Sequence, residues 1–228
     1  MPAASSQPPP AIRAVVFDFD GVLADSEPLH LRAYQKVLDP IGITMTRDEY
    51  YASYLGYDDE GVLTRVAQEH GIRIDLRQIA ALIEEKTRVF DEMIGAGEML
   101  YPAARACVER LAATFPLGIA SGALRHEIEA ILRAGRLDRH FGFIVASGDT
   151  PEGKPAPDPY RRAAELHGVP PSGCLAIEDS RWGIESAKSA GLWCIGITNT
   201  YPRQELAVAD HVIATLDELT PALIASLA

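Results

Sequence analysis

The sequence is poor in cysteine, and this limits the kinds of fold and site that it can form. It has 228 residues and three cysteines, Cys107, Cys174 and Cys194, which are odd in number and far apart. This spacing supports neither a disulfide framework nor a zinc site built from paired cysteines. We therefore expect reduced, mostly buried thiols in a cytoplasmic protein.

Positive charge and long apolar stretches are also scarce. The chain has 21 lysine and arginine residues against 32 aspartate and glutamate residues, a formal net charge of −11. A protein with this charge repels nucleic acid and anionic membranes, so we expect neither as a partner. No stretch approaches membrane-spanning length, and residues 1–11 have no signal-peptide pattern. We expect those residues to form a disordered tail.

Short apolar runs recur along the chain and predict an α/β fold. From about Tyr101 onward such runs alternate with stretches of helical spacing, and one further run precedes Asp18. This alternation is typical of βαβ units, whose strands form a parallel sheet with ligands at the carboxyl ends. The predicted strands are residues 12–17, 117–120, 143–146, 174–177, 194–197 and 211–213.

Between these strands, residues 28–95 show helical spacing and no strand-like run, which predicts an all-helical insertion. Pro28 suits the first turn of a helix, and Thr46 with Glu49 forms a capping-box pattern. Further signals are three candidate helix stops, Gly56, Gly71 and Gly95, and an apolar helix face of Leu76, Ile79, Ile83, Phe90 and Met93. We expect a core of residues 12–27 and 96–228 around this insertion.

Groups suited to phosphoryl transfer follow four of the predicted strands. They are Asp18 with Asp20, Ser121 with Gly122, Lys154, and Glu178 with Asp179. Because the carboxyl ends of parallel strands meet at one edge of a sheet, we expect these groups to converge. Two acids at the end of a buried strand are costly to desolvate unless they have a partner such as a divalent cation.

The ordered set of motifs resembles the haloacid dehalogenase-like hydrolase superfamily, in the branch with a helical cap. The matching segments are Asp18-Phe19-Asp20-Gly21-Val22-Leu23, Ala120-Ser121-Gly122, Gly153-Lys154-Pro155 and Ile177-Glu178-Asp179-Ser180. Each segment is weakly specific, whereas the set in this order is strong and extends over nearly the whole chain from residue 12. The resemblance implies a Rossmann-like core with an inserted all-helical cap domain.

The resemblance also implies roles for the core residues. Asp18 would be the nucleophile that attacks phosphorus, and Asp20 the general acid and then the general base. Ser121 and the backbone N–H of Gly122 would donate to phosphate oxygens. Lys154 would offset the negative charge of Asp18 and the phosphoryl group. Taken alone, each has a plainer interpretation: a turn aspartate, a helix N-cap serine or a solvated lysine.

Magnesium is the cofactor that the resemblance implies. Asp18, the backbone carbonyl of Asp20 and Asp179 would hold Mg²⁺, and Glu178 would ligate it directly or orient a bound water. Hard oxygen ligands of this kind suit magnesium far better than zinc. A Glu-Asp pair without the preceding apolar run is usually only a solvated surface.

For the cap, the segment from Asp18 to His30 is similar to the opening motif of the β-phosphoglucomutase group. The resemblance implies a lid that closes over the site, with hinges near residues 25–27 and 95–97. Ser26 and His30 would couple closure to Asp20. A structural role for a histidine on an amphipathic helix is an equally weighted alternative.

The next cap segment departs from that group, because it lacks the lysine and arginine that bind a distal phosphate. It carries Tyr54, Tyr57, Asp58 and Asp59 instead. Acids at this place would repel a second phosphate, so we expect these four residues to line the specificity end for a monophosphate. Packing tyrosines and helix-capping aspartates are the alternative. Arg125, at the rim of the core, could also reach the substrate.

The expected function is Mg²⁺-dependent hydrolysis of a small, sugar-phosphate-like phosphomonoester through an aspartyl-phosphate intermediate. The partner would be a small phosphorylated metabolite, and the protein a monomer or weak dimer. One alternative is a β-phosphoglucomutase-like mutase, and another is a catalytically silent phosphate-binding module. A haloacid dehalogenase is disfavoured, because those members usually lack the second aspartate.

Overall fold

The computed structural model describes residues 11–54, 57–94 and 99–227. Most of the expected tail, the candidate helix stops Gly56 and Gly95, and the expected hinge at residues 95–97 lie outside this range. The chain forms two compact units, which we call the core unit (Met1–Asp25 with Met99–Ala228) and the cap unit (Ser26–Glu98). The cap unit, residues 26–98, is slightly longer at both ends than the insertion predicted from the sequence, residues 28–95.

A parallel sheet organises the core unit. Within the described residues its six strands are β1 (Ala14–Phe17), β2 (Leu117–Ala120), β3 (Phe141–Val145), β4 (Cys174–Glu178), β5 (Trp193–Ile197) and β6 (His211–Ile213). Their order is β3-β2-β1-β4-β5-β6, and every neighbouring pair is parallel. The α/β fold expected from the sequence is thereby confirmed.

The cap unit consists of helices throughout its described part, namely α1 (Glu27–Leu38), α2 (Arg47–Ser53), α3 (Asp59–Glu69) and α4 (Leu76–Ile94). Pro28 lies in the first turn of α1, as expected. The capping box is confirmed: Thr46 Oγ1 accepts a hydrogen bond from the Glu49 N–H at 3.2 Å, and Glu49 Oε2 accepts one from the Thr46 N–H at 3.3 Å. Gly71, at φ +69°, follows the end of α3.

The expected apolar face of α4 is only partly correct. Ile79 and Phe90 are buried, whereas Leu76 is 74% exposed because it begins the helix at a solvent-facing end. A lysine, Lys86, is buried on this helix instead, with 2% of its surface exposed. Among the described residues, no helix combines the length and the apolar character that crossing a bilayer requires.

The core unit also contains five α-helices among its described residues, of which the third and fourth pack against the central strands. They are α5 (Ala104–Ala112), α6 (Arg125–Ala134), α7 (Asp158–His167), α8 (Arg181–Ser189) and α9 (Pro221–Ala225). Val16 of β1 and Ala176 of β4 share a buried cluster with Tyr160 of α7 and Ile184 of α8. The two helices that follow the Lys154 and Asp179 segments are therefore held by the same apolar layer as the central strands.

The chain leaves and re-enters the core unit at two neighbouring segments. The Asp25 N–H donates to the Met99 carbonyl at 2.8 Å, and the Tyr101 N–H donates to the Leu23 carbonyl at 3.0 Å. Ala24 and Leu100 form an antiparallel bridge between them. The two crossing points are thus fastened to each other inside the core unit.

Candidate active site

Asp18 follows β1 directly and lies between two strands. Its N–H donates to the Ile177 carbonyl of β4 at 2.9 Å, and its Oδ1 accepts from the Phe19 N–H at 2.7 Å. The side chain is buried. Backbone bonds from the sheet therefore fix the position of this carboxylate, while Asp20 lies in the following turn, where its backbone bridges to Ala24.

Gly21 permits a close approach between this turn and β4. Its φ of +75° favours glycine, and a Cβ there would collide with the Asp179 carboxylate and with the Thr200 hydroxyl. The Gly21 carbonyl accepts a hydrogen bond from Asn199 Nδ2 at 2.8 Å. A residue with a side chain at position 21 would displace the Asp179 carboxylate from its present position.

Lys154 joins two of the carboxylates. Its Nζ lies 2.9 Å from Asp18 Oδ1 and 2.6 Å from Glu178 Oε1. Ligand atoms of Asp18, Glu178 and Asp179 all lie within 4.8 Å of one another. The structure thus brings together the ends of β1 and β4 and the lysine of the Gly153-Lys154-Pro155 segment, whose Lys154–Pro155 peptide is cis.

Negative charge exceeds positive charge in this cluster. Burial, and then the nearby Asp18 carboxylate, raise the pKa of Glu178 to about 7, although Lys154 and Tyr160 act in the opposite direction. The same two causes, with Glu178 in addition, raise the pKa of Asp179 well above its usual range. Burial lowers the pKa of Lys154, but Asp18 and Glu178 outweigh burial and raise it. The cluster therefore holds a cationic lysine beside two acids, Glu178 and Asp179, whose ionisation is disfavoured.

This excess negative charge fits a hard divalent cation. The donor atoms are carboxylate oxygens, which magnesium and calcium prefer, and a charge of +2 would favour the ionised form of all three acids. Asp18, Glu178 and Asp179 could together hold such an ion.

Ser121 and Gly122 follow β2, the neighbour of β1 in the sheet. The Ser121 N–H donates to the Val145 carbonyl at 2.9 Å, and Ser121 Oγ accepts from the Ala123 N–H at 3.1 Å. Helix α6 begins later, with Leu124 at its N-cap, so Ser121 is not the cap of that helix. A Cβ at Gly122 would meet nothing within 4 Å, which leaves the space beside this residue open.

In the cap unit, His30 belongs to a buried cluster on α1, α3 and α4. Lys86 Nζ lies 2.9 Å from His30 Nδ1 and 2.9 Å from Asp59 Oδ1, and Tyr34 donates to Asp59 Oδ1 at 2.5 Å. The His30 ring stacks on Phe90 with centroids 4.2 Å apart. Burial, and then the Lys86 charge, lower the pKa of His30 to about 3. Ser26, just before α1, is buried as well.

The other predicted cap residues also have contacts within the cap unit. Asp58 Oδ1 caps α3 by accepting from the Gly61 N–H at 2.8 Å. Tyr54 is buried and its hydroxyl donates to Glu69 at 2.5 Å, whereas Tyr57 is half exposed and accepts from Arg65 at 2.6 Å. These contacts are of the kind that the packing and capping alternative describes, and the role of the four residues at the specificity end stays a prediction. They also weaken the argument from repulsion, because Lys86 offsets the charge of Asp59.

Arg125 contacts the edge of the sheet. Its Nη2 donates to the Ile144 carbonyl at 2.9 Å and to Asp149 at 2.6 Å. Since β3 is an edge strand, this guanidinium satisfies a carbonyl that would otherwise be open to another strand. The side chain is therefore engaged by the core surface, and its expected reach towards a substrate stays a prediction.

The sequence analysis missed several residues that shape the site. Tyr160 donates to Glu178 Oε1 at 2.6 Å, and the Glu178 carboxylate packs so tightly on α8 that a Cβ at Gly183 would collide with it. Lys86 forms the buried ion pair of the cap unit. No spacing pattern marks these residues, because their roles depend on which helices pack together.

Comparison with known proteins agrees with this geometry. Residues 12–191 match the sequence family of haloacid dehalogenase-like hydrolases. The protein CbbY of Cereibacter sphaeroides is 34% identical over 225 residues, covering 91% of this chain and 94% of that protein. A phosphorylated carbohydrates phosphatase of Thermotoga maritima is 32% identical over 183 residues, with coverages of 79% and 82%.

A solved structure gives the same result in three dimensions. CbbY from Rhodobacter sphaeroides, a mutant in complex with xylulose-(1,5)bisphosphate, matches with a TM-score of 0.81 and 31% identity, covering 91% of this chain and 96% of that one. Family, relatives and fold therefore agree with the cluster of Asp18, Lys154, Glu178 and Asp179. The chain belongs to the haloacid dehalogenase-like hydrolases and is an enzyme of the phosphoric monoester hydrolase class.

Proposed function

We propose that this protein is a Mg²⁺-dependent phosphatase that hydrolyses a small sugar phosphate through a phosphorylated Asp18. The observation that carries the proposal is the position of Lys154, whose Nζ bonds both Asp18 Oδ1 and Glu178 Oε1 beside Asp179. A buried nucleophile with a fixed cation next to it is suited to a phosphoryl group, whose negative charge must be offset during transfer.

In the first half of the reaction, a carboxylate oxygen of Asp18 attacks phosphorus. The bond between phosphorus and the ester oxygen breaks, and Asp20 in its protonated form gives its proton to that leaving oxygen. Ser121 and the Gly122 N–H donate to the phosphoryl oxygens, and Lys154 balances their charge. The products of this half are an alcohol and an aspartyl phosphate.

In the second half, water attacks the phosphorus of the aspartyl phosphate. Asp20, now ionised, accepts the proton of that water, and the bond between phosphorus and the Asp18 oxygen breaks. Inorganic phosphate leaves, and both aspartates return to their starting protonation states. Dividing hydrolysis in this way replaces one difficult displacement with two easier ones.

Asp18, the backbone carbonyl of Asp20 and Asp179 would hold Mg²⁺. When bound, the ion supplies positive charge that offsets the carboxylates and the phosphoryl oxygens. Because Glu178 Oε1 already accepts from Lys154 and Tyr160, we infer that Glu178 acts on the ion through its other oxygen or through a water.

A phosphate-release assay tests the proposal. We expect sugar monophosphates to be hydrolysed with Mg²⁺ and not in EDTA, and Asp18→Asn to lose several orders of magnitude in kcat. Asp138→Asn, an exposed aspartate of the core unit, is the matched control and should keep its activity. Acid quenching should trap a hydroxylamine-sensitive phosphoenzyme in the parent protein and in Asp138→Asn, and none in Asp18→Asn. Release of phosphate by Asp18→Asn at the parent rate would refute the assignment.

The substrate panel should also contain bisphosphates, because the CbbY structure was solved with xylulose-(1,5)bisphosphate. The internal pairing of Asp59 with Lys86 removes much of the expected repulsion and favours this second candidate. Higher kcat/KM for a pentulose bisphosphate than for monophosphates would select it. Isomer formation without phosphate release would indicate a mutase, and no turnover of any substrate would indicate a phosphate-binding module.

A further inference from the structure

Tyr160 is a buried tyrosine of α7 that lies outside the four motifs of the site. Its side chain has no exposed surface, and its hydroxyl donates to Glu178 Oε1 at 2.6 Å. A buried tyrosine hydroxyl requires a hydrogen-bond partner, and here the partner is a carboxyl group of the active site. The contact joins α7 to the end of β4.

The same side chain also borders Lys154. The Lys154 Nζ lies 5.1 Å from the centroid of the Tyr160 ring, within the range of a cation–π interaction. Glu178 Oε1 accepts from Lys154 and from Tyr160, each at 2.6 Å. Tyr160 therefore touches both members of the ion pair, its hydroxyl at the carboxylate and its ring at the ammonium.

Helix α8 also confines the Glu178 carboxylate. A Cβ at Gly183 would overlap both of its oxygens, so the group packs directly on the first turn of α8. Ser180 Oγ lies 3.4 Å from Glu178 Oε2. The α8 helix holds the Lys154 segment as well, because Ser186 Oγ donates to the Ala156 carbonyl at 2.5 Å. Because α8 packs against this carboxylate and Tyr160 donates to it, the group has little freedom to rotate.

We propose that Tyr160 is a positioning residue for phosphoryl transfer, which fixes Glu178 Oε1 and thereby keeps Lys154 within bonding distance of Asp18. The proposal rests on the proposed function for its kinetic part. Its structural part, the restraint of the Lys154 ammonium, stands independently of any reaction. Tyr160 does not touch the reacting atoms and acts through Glu178 and Lys154.

Tyr160→Phe tests this role because it removes the hydroxyl and keeps the ring. With the best substrate of the panel, we expect kcat to fall about tenfold, the size of one lost hydrogen bond to a charged group, with KM little changed. A merely structural hydroxyl would lower the melting temperature without this selective loss in kcat. Unchanged kcat in a folded Tyr160→Phe protein would overturn the proposal.

A second readout needs neither substrate nor metal. Buried, hydrogen-bonded lysine ammonium groups exchange slowly with water and give ¹H–¹⁵N signals, which Lys154→Met and Lys86→Met would assign. We expect Tyr160→Phe to broaden or shift the Lys154 signal and to leave the Lys86 signal of the cap unit unchanged. An unaltered Lys154 signal would contradict the restraint even if the parent protein proves inactive.

Tyr50→Phe is the matched control for the spectrum. Its hydroxyl donates to Glu27 at 2.6 Å inside the cap unit, so the lost bond is of the same type and length. We expect a similar change in melting temperature and an unaltered Lys154 signal. An equal change in that signal would indicate a general loosening of the protein and would refute a specific role for Tyr160. A parent enzyme without turnover, in contrast, would refute the proposed function alone.

Discussion

Two glycines near the active site have different physical reasons to be glycine. At Gly183, the Glu178 carboxylate occupies the space that a side chain would need. At Gly122, a Cβ would meet nothing within 4 Å, so packing within the protein does not demand glycine there. Glycine at position 183 thus makes room for the Glu178 carboxylate, whereas glycine at position 122 leaves space that a ligand could occupy.

We therefore expect alanine to affect stability at one of these positions and substrate binding at the other. Gly183→Ala should lower the free energy of unfolding by about 1–3 kcal/mol because it forces the pinned carboxylate to move, despite the better helix propensity of alanine. Gly122→Ala should leave stability unchanged and raise KM for the phosphate substrate. Urea unfolding and steady-state kinetics measure the two effects. Equal stability losses in both variants would show that the distinction is wrong.

The environment of His30 determines the tautomer and the protonation state of its imidazole ring. Because an ammonium can only donate, Lys86 requires His30 Nδ1 to be the acceptor, which places the imidazole proton on Nε2. Burial and the Lys86 charge lower its pKa to about 3, so the ring is neutral at physiological pH. Any coupling between His30 and Asp20 would have to begin from this neutral ring.

NMR can test this state of His30. Imidazole ¹⁵N shifts, assigned with His30→Gln, should show the Nε2–H tautomer with no protonation between pH 8 and 5. In the unfolded chain His30 is protonated below about pH 6.5, whereas in the folded protein it stays neutral down to about pH 3. The free energy of unfolding should therefore fall as pH decreases from about 6.5 towards 3. His30→Gln should lose this part of the pH dependence. A midpoint near 6.5 in the folded protein would contradict the buried contact with Lys86.

At the scale of elements, the apolar face of α4 contains one charged residue, Lys86, that bonds to two other helices. Lys86 lies among the buried side chains of this helix, and Asp59 and His30 receive its hydrogen bonds. Its ammonium also lies 5.1 Å and 5.2 Å from the ring centroids of Tyr34 and Phe90. The residue thus joins α4 to α1 and α3 through one charge.

Removing that charge should weaken the cap unit. Lys86→Met keeps most of the volume but leaves the largely buried Asp59 without its cation, and we expect a loss of about 2–3 kcal/mol. Arg88→Met, on the same helix, breaks exposed pairs with Glu85 and Glu92 and should destabilise the protein much less, because water screens exposed charges. Thermal unfolding followed by circular dichroism compares them. Similar losses in both variants would mean that Lys86 contributes no more than a surface ion pair.

At the scale of the whole molecule, the sequence predicted the sheet well, because parallel strands buried on both faces leave continuous apolar runs. The strands at Leu117–Ala120 and His211–Ile213 lie where the runs predicted them. The same logic located the groups at strand ends, since a strand end and its following residues are adjacent in sequence. Asp18, Lys154, Glu178 and Asp179 accordingly meet as expected.

Features that depend on packing between helices were not predictable in this way. Leu76 was expected on the apolar face of α4 but is exposed, and nothing in the sequence pointed to the buried Lys86, because periodicity alone does not say where a helix enters solvent. Tyr160 carried no signal, since its partner is 18 residues away on another element. The charge of Asp59 suggested repulsion of a second phosphate, but Lys86, which offsets that charge, lies on another helix and is distant in sequence.

The fastening of Asp25 to Met99 and of Leu23 to Tyr101 has a consequence for how such enzymes diversify. The two chain segments that lead into and out of the cap unit are already neighbours in the core unit. The entropic cost of closing a loop between them grows only slowly with the length of the loop. A longer, shorter or unrelated segment could therefore be grafted at this junction without disturbing the strands. Evolution can therefore exchange the inserted unit while the strand ends that carry Asp18 and Glu178 keep their arrangement.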